Sequence, residues 1–89
     1  MEVDRIVMEE KLQKLLDNKM SPEWCALLEE VFGQIANYIN RIGDYSLAEL
    51  YHPNMKEFGA SDFGMAKKVD EIPEDWLRYV YACMARIGL

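Results

Sequence analysis

The chain has 89 residues, of which 51% are hydrophobic, and its formal net charge is −6. This length fits one domain with a modest core, and the hydrophobic content is too high for intrinsic disorder. The acidic balance argues against general nucleic-acid binding, because phosphate contacts need clustered lysine and arginine. It permits a partner with a basic surface, and it also fits a protein that uses its charge only for solubility.

The N-terminal stretch and the cysteine content predict an intracellular protein. The first residues, MEVDRIVMEE, carry acid from the second position and lack the apolar core of a signal peptide. No apolar run approaches the roughly 20 residues that span a bilayer. Two cysteines and a single histidine are too few for a four-ligand zinc site. We therefore expect a cytoplasmic protein with reduced thiols, no cofactor, no metal and no membrane partner.

The first predicted helix covers about residues 2–19 and has apolar side chains on two sides. One side is a stripe at helical spacing, made of Met8, Leu12, Leu15 and Leu16. With an advance of about 100° per residue, a second apolar group falls elsewhere on the helix. This second group consists of Val3, Ile6 and Val7. Two apolar sides on one helix indicate a kink, a second contact surface or a frayed helix start, and the second group is a candidate surface for homodimer formation.

The second predicted helix covers residues 22–42, and three successive residues mark its start. Ser21 can accept an unpaired N–H of the first turn, Pro22 loses no needed donor, and Glu23 suits the positive helix end. Apolar side chains cover about half of the circumference, which is typical of a central helix with two neighbours. Gly43 is expected to end this helix, because glycine adopts the left-handed conformation that closes helices.

The last predicted helix covers residues 73–87, with Pro73 at its start and Gly88 as its terminator. It carries an apolar stripe about 100° wide, made of Trp76, Leu77, Val80, Cys83, Met84 and Ile87. Two tyrosines flank this stripe. We expect this helix and the second one to supply most of the core.

Between residues 46 and 69, capping signals predict one or two short helices, of which the later one starts at Ser61 or Asp62 and runs through Val69. No segment shows the sustained alternation of a β-strand. The sequence therefore predicts an all-α fold, a small helical bundle of three main helices. It also predicts that residues 1–89 form a single helical domain.

The chain lacks recognisable catalytic motifs. It has no glycine-rich phosphate loop, and it has no E-x-x-H pattern for a di-iron bundle. Cys25 and Cys83 lie at the edges of apolar stripes, so we expect both to be small buried hydrophobic residues. His52 lies at a helix end, where its charge would suit the local carbonyls. We predict that the chain is not an enzyme.

Residues 55–69 have some features of a DNA-binding helix-turn-helix. A glycine-centred turn would precede the second helix, and Lys67 and Lys68 would lie late on that helix and contact DNA. Pro53, however, interrupts the helix that should precede the turn, and Asp62 would face phosphate where negative charge is unfavourable. DNA binding is therefore an alternative hypothesis that the charge of the chain does not favour.

Carboxylates crowd the start of the last helix, and two more lie on the polar side of the second helix. They are Asp70, Glu71, Glu74, Asp75, Glu29 and Glu30. Those near a helix start complement its dipole, which would account for them without a partner. They would also form a negative patch that speeds encounter with a basic surface. The aromatic anchors that such an interface needs have four candidates, Tyr45, Tyr51, Tyr79 and Tyr81.

These features together predict a small acidic intracellular protein-interaction module without catalysis. Compact acidic helical proteins often act as inhibitors or adaptors that cover a basic site on a larger partner. Inhibitors of phage or mobile-element origin and immunity proteins share this size and charge, which is an analogy without a shared motif. The alternatives are the DNA-binding domain at 55–69 and a homodimeric helical scaffold.

Overall fold

The computed structural model of the protein describes residues 2–42 and 53–89, and all regular structure in these two ranges is helical. The four α-helices and one 3₁₀ turn are α1 (Glu2–Asp17), α2 (Pro22–Ile42), α3 (Ala60–Met65), the 3₁₀ turn (Val69–Glu71) and α4 (Glu74–Arg86). Helices α1, α2 and α4 form a small bundle, so the predicted all-α fold with three main helices is confirmed. The predicted stop at Gly43 and any short helix at 46–52 lie outside the described residues.

The helix boundaries follow the predicted capping chemistry. The Ser21 hydroxyl accepts the backbone N–H of Trp24 at 3.1 Å, which satisfies one free donor at the start of α2. Gly88 has a φ of 81°, the left-handed conformation that glycine adopts without steric cost. This conformation directs the N–H of Leu89 to the carbonyl of Met84 at 2.9 Å and so closes α4.

Helix α2 is the central helix, because it contacts both α1 and α4. The three main helices bury apolar side chains against one another and against α3. The most deeply buried large side chains are Trp76, Phe63, Leu12, Leu27, Met84, Val31, Val80 and Cys83. Each of the three main helices thus buries part of its predicted apolar side in the bundle, as the periodicity requires.

An aromatic stack lies at the centre of this core. Phe63 is fully buried, and its ring lies 5.5 Å from that of Trp76 at an interplanar angle of 16°. The ring of Trp24 lies 5.5 Å from that of Phe63 on another side. The indole N–H of Trp76 donates to the carbonyl of Phe58 at 2.8 Å, so the buried polar atom of this ring is satisfied. Helix α3 therefore stabilises the fold mainly by inserting Phe63 between the two tryptophans.

Helix α3 is shorter than predicted, since it ends at Met65 instead of continuing through Val69. A carboxylate oxygen of Glu71 accepts the backbone N–H groups of Lys67 and Lys68 at 2.9 and 2.8 Å. In a longer helix these donors would bond to carbonyls four residues earlier. Glu71 therefore replaces the predicted last turn with an extended link that leads into the 3₁₀ turn.

Candidate interaction surface

The predicted acidic residues near the start of α4 all lie at the molecular surface. Asp70 and Glu71 belong to the 3₁₀ turn, and Glu74 and Asp75 belong to the first turn of α4. Three of them are exposed and Asp75 is half-buried. The structure gives Glu71, Glu74 and Asp75 different intramolecular roles, which determine how much of each charge a partner can use.

Glu71 is held by backbone donors. Its carboxylate accepts the N–H groups of Lys67 and Lys68, which stabilises the charged form and lowers the pKa of Glu71 below its ordinary value. Backbone N–H groups fix the orientation of the carboxylate, and the nearby ammonium groups of Lys67 and Lys68 lower its pKa further. Glu71 is therefore oriented and still carries a net negative charge.

Glu74 is held by a guanidinium from another helix. Both of its carboxylate oxygens accept hydrogen bonds from Arg5, so the pair joins the N-terminal half of α1 to the start of α4. The hydrogen bonds from Arg5 lower the pKa of Glu74. Arg78 lies 3.9 Å away on the next turn of α4. Because the charge of Glu74 is compensated within the fold, Glu74 contributes least to a patch for basic partners.

Asp75 fixes a loop. Its carboxylate accepts the backbone N–H of Asn54 at 2.8 Å and that of Trp76 at 2.9 Å. The first of these bonds joins α4 to the segment that begins at Pro53. As with Glu71, the partners of Asp75 are backbone N–H groups, which orient the carboxylate without compensating its charge.

Glu29 and Glu30 do not extend this patch. Glu30 accepts a hydrogen bond from Gln34 at 2.8 Å and lies 3.6 Å from Arg86. Arg86 is the last residue of α4, whereas Glu74 is the first. A rise of about 1.5 Å per residue places these two positions roughly 18 Å apart. The predicted grouping of all six carboxylates into one patch is therefore wrong, because the two clusters lie toward opposite ends of α4.

The tyrosines have unequal positions. Tyr79 is only 8% exposed, and its hydroxyl donates to the backbone carbonyl of Val31 in α2. Burial raises the pKa of Tyr79. The prediction of Tyr79 as a surface anchor is wrong, because this residue packs α4 against the central helix. Tyr45 and Tyr51 lie outside the described residues.

Tyr81 remains a candidate anchor at the junction of α1 and α4. Its ring is half-buried, and its hydroxyl oxygen has no hydrogen-bond partner among the described residues. Burial and the nearby negative charge of Glu9 raise the pKa of Tyr81. A buried hydroxyl without a partner is unfavourable for stability, so a small shift of α1 that admits water would relieve it.

The second apolar group of α1 is exposed. The side chains of Ile6 and Val7 are 54% and 42% exposed, whereas Leu12 and Leu16 from the first stripe are buried. Val3 belongs to the first turn of the same helix, and its side chain lies outside the described part of the structure. The expected division of α1 into two apolar sides is therefore present at Ile6 and Val7.

The predicted helix-turn-helix at 55–69 is wrong. Residues 53–59 form no helix, and α3 is only six residues long. Lys67 and Lys68 lie beyond the end of α3, where Lys68 has an extended backbone with φ −131° and ψ 145°. The two lysines therefore do not lie on a recognition helix.

Two adjoining depressions in the surface, which share Phe58, were not predicted. The larger has a volume of about 310 Å³ and is lined by Phe58, Asp62, Met65, Ala66 and Glu71. The smaller has a volume of about 150 Å³ and is lined by Asn54, Glu57, Phe58, Pro73 and Asp75. We call the two depressions together the Phe58 furrow. The furrow brings Glu71 and Asp75 from the predicted patch together with the ring of Phe58.

Two side chains that hold this region together were also not predicted. The side-chain amide of Gln13 donates to the carbonyl of Lys67 at 3.0 Å and accepts the N–H of Val69 at 3.1 Å. The ammonium of Lys19 donates to the carbonyls of Gly64 and Ala66, on either side of the C-terminal end of α3. Gln13 and Lys19 thus fix the segment that forms one side of the Phe58 furrow.

The two cysteines differ in environment. Cys83 is fully buried, burial raises the pKa of its thiol, and the guanidinium of Arg86 lies 3.0 Å from the sulfur. Cys25 is exposed, so the expectation that it is buried is wrong. Cys25 lies just outside the arc of α2 that packs against α1 and α4. Within residues 2–42 and 53–89, no three His, Cys, Asp or Glu side chains are grouped as a metal site would require.

Helix length and polarity also bear on the predicted partners. Across the part of the chain that the structure describes, no helix is both long and apolar enough to cross a membrane. Comparisons with protein-family models, with curated proteins and with solved structures find no match for this chain. The case for a function therefore depends on the surface of the domain itself.

Proposed function

We propose that this chain is a small, non-catalytic protein-interaction domain that binds a basic surface of a larger cytoplasmic partner. The observation that carries the proposal is the way Glu71 and Asp75 are held. Their carboxylates accept backbone N–H groups, so both are oriented at the surface, whereas Glu74 is bound by the guanidinium of Arg5. A net charge of −6 adds a long-range attraction for basic partners.

Oriented carboxylates favour association for two physical reasons. Charge complementarity raises the rate of encounter and selects against acidic partners. Pre-orientation lowers the conformational entropy that each side chain loses when the complex forms. The proposed mechanism is occlusion. Asp70, Glu71 and Asp75 form ion pairs with arginine or lysine side chains of the partner, which are then no longer accessible to the partner's own ligand. The domain then acts as an inhibitor, or as an adaptor where the covered site is not functional.

The test begins with affinity capture of the partner from the native host at low salt. The captured protein is purified and its affinity is measured against the wild-type domain and against an E71Q/D75N double variant. Both substitutions retain an acceptor oxygen for the backbone N–H groups and remove the charge. We expect weaker binding at low salt and a smaller dependence on salt concentration.

Glu29→Gln is the matched control for this experiment. It removes one carboxylate from an exposed position toward the other end of α4, and we expect it to leave the affinity unchanged. Circular dichroism of each variant checks that the fold is retained. Failure to capture any stable partner, or equal affinity of the double variant and the wild type, would refute the proposal.

A second candidate function, self-association, has support from the exposed Ile6 and Val7. Two adjacent aliphatic side chains on the outer side of α1 favour burial against a second apolar surface. Light scattering across a concentration series measures the mass directly. A homodimer gives twice the 10.4 kDa of the single chain, and an I6S/V7S variant should then return to the single mass. A constant mass of 10.4 kDa for the wild type excludes this candidate.

A further inference from the structure

The Phe58 furrow combines a fixed apolar side chain with an adaptable one. Phe58 packs edge-on against the buried Trp76, with ring centres 5.7 Å apart at 69°, so its ring is held in place. Met65 is 70% exposed, although it adjoins the core residue Ala66. Methionine is flexible and polarisable, and it often lines surfaces that adapt to a ligand. An exposed methionine beside a fixed aromatic ring is suited to contact an aliphatic side chain.

The charged lining of the furrow is of one sign. The described lining of the two depressions contains four charged residues, and all are carboxylates: Asp62, Glu71, Glu57 and Asp75. Asp62 accepts the backbone N–H of Gly59 at 2.7 Å, so three of the four are oriented by backbone donors.

Two other depressions formed by the described residues lack this uniformity. One depression of about 340 Å³, beside the C-terminal half of α1, is lined by Lys11 and Lys14 together with Glu23. Another of the same volume combines Lys68 with Glu9 and Asp70. Mixed linings of this kind do not select the charge of a ligand. The Phe58 furrow therefore has the stronger charge preference, and that preference is for cations.

The volumes of the furrow are sufficient for individual side chains of a partner. Ligand pockets typically enclose about 300 to 1,000 Å³, and the larger depression lies at the lower end of this range. It can accommodate one or two aliphatic groups. The adjoining depression of about 150 Å³ has room for a single side-chain end.

We propose that the Phe58 furrow docks an extended segment of a partner protein in which an aliphatic side chain is flanked by arginine or lysine. The aliphatic group lies on Phe58 and Met65, one cation reaches Asp62 and Glu71, and another reaches Asp75. This inference rests on the proposed function, and it adds the location of the contact and the chemistry of the segment. Apolar contact supplies affinity here, while the carboxylates supply selectivity.

A titration followed by NMR tests this docking with defined probes. The full chain, with labelled backbone nitrogen and methionine methyl groups, is titrated with three synthetic twelve-residue peptides. The first alternates leucine with arginine, the second leucine with glutamate, and the third serine with arginine. We expect the first peptide to shift the Met65 methyl signal and the amides around Phe58 and Glu71. The second should cause no shift there. The third should bind at least about tenfold more weakly than the first.

Met65→Ser, with Met20→Ser as the control, tests the apolar contact. Met20 is 90% exposed and does not line the furrow. Met20→Ser therefore removes an exposed methionine outside the furrow. We expect Met65→Ser to weaken binding of the leucine–arginine peptide about tenfold and Met20→Ser to leave it unchanged. Equal effects of the two substitutions, equal binding of all three peptides, or shifts centred on Lys11 and Lys14 would each overturn the docking site.

The two proposals can fail separately. If E71Q/D75N weakens binding of the captured partner while Met65→Ser changes neither peptide nor partner binding, the furrow is wrong and the proposed function stands. If the peptide binds in the furrow with the expected dependence on Met65 but no partner is captured, the docking chemistry stands and the proposed function fails. If a second copy of the chain occupies the furrow, the Met65 methyl signal should shift with protein concentration in the absence of peptide. This result would also overturn the inference.

Discussion

Lys19 joins the end of α3 to the start of α2, and its replacement by methionine should destabilise the domain. The Lys19 ammonium donates to the carbonyl of Gly64 at 2.9 Å and also to that of Ala66. It lies 5.5 Å from the ring centre of Trp24. Lys19→Met retains most of the aliphatic stem and removes only the charged donor. The substitution therefore isolates the polar contribution of this contact.

The expected magnitude follows from the contacts that are lost. Hydrogen bonds that involve a charged group contribute about 1.5 to 3 kcal/mol, and the lower figure applies because Lys19 is half-buried and water can replace it. The attraction between the ammonium and the Trp24 ring adds about 0.5 kcal/mol. We therefore expect the free energy of unfolding to fall by about 2 kcal/mol. For a domain of this size, each kcal/mol corresponds to a shift of about 4 to 8 °C in Tm.

Urea unfolding followed by tryptophan fluorescence measures this change, because Trp24 and Trp76 are both buried and report loss of the core. Lys14→Met is the control, since Lys14 is an exposed lysine in the last turn of α1. Lys19→Arg retains the charge and should recover part of the stability. A difference between Lys19→Met and Lys14→Met of less than about 0.5 kcal/mol, the size of a typical surface effect, would show that the bonds of Lys19 do not stabilise the domain.

Three further predictions concern surface charge and the thiols. Arg5→Gln removes the ion pair with Glu74, so the urea midpoint of unfolding should fall slightly at low salt. Near 1 M salt, where the Debye length is about 3 Å, the midpoint should match that of the wild type. A lower midpoint that persists in high salt would contradict an ionic cause. Because the pKa of Glu71 is lowered in the folded state, its contribution to stability is present above the ordinary glutamate value of about 4.3 and is lost as the pH falls through the lower folded value. In urea unfolding across pH, Glu71→Gln should therefore lower stability near neutral pH but not in strong acid, and a constant difference would argue against this linkage. A thiol reagent followed by mass spectrometry should modify Cys25 in the native protein and Cys83 only after unfolding, and equal rates would show that Cys83 is accessible.

The helices could be predicted from sequence because their signals are local. The cap at Ser21, the glycine terminator at Gly88 and the 3.6-residue apolar periodicity each act within one or two turns. The predicted bounds of the second helix, 22–42, agree with the observed Pro22–Ile42. The burial of Tyr79 could not be predicted in this way, because it lies at the edge of the α4 stripe, where the orientation of a neighbouring helix determines whether a side chain is buried.

The contacts between distant segments could not be predicted. The bonds that Lys19 makes to the end of α3 span 45 and 47 residues, and the bonds of Gln13 span 54 and 56. Neither residue belongs to a motif, and long polar side chains of this kind occur on most helix surfaces. Their partners become apparent only when α1 and the extended link after α3 are packed together. The Phe58 furrow depends on the same packing, so Phe58 and Met65 had no sequence signal as site residues.

The same packing explains why the acidic residues of the start of α4 are not equivalent in binding. A partner arginine that approaches Glu74 meets a carboxylate whose charge Arg5 already compensates, and the positive charge of Arg5 repels it, so the net gain is small. A partner arginine that approaches Glu71 or Asp75 leaves the backbone bonds in place, because a carboxylate has about four lone-pair sites and can accept further donors. Loss of Glu74 should therefore affect the attachment of α1 more than it affects binding. Loss of Glu71 and Asp75 should have the opposite pattern, and these two residues of the furrow, rather than Glu74, should determine which partner is bound.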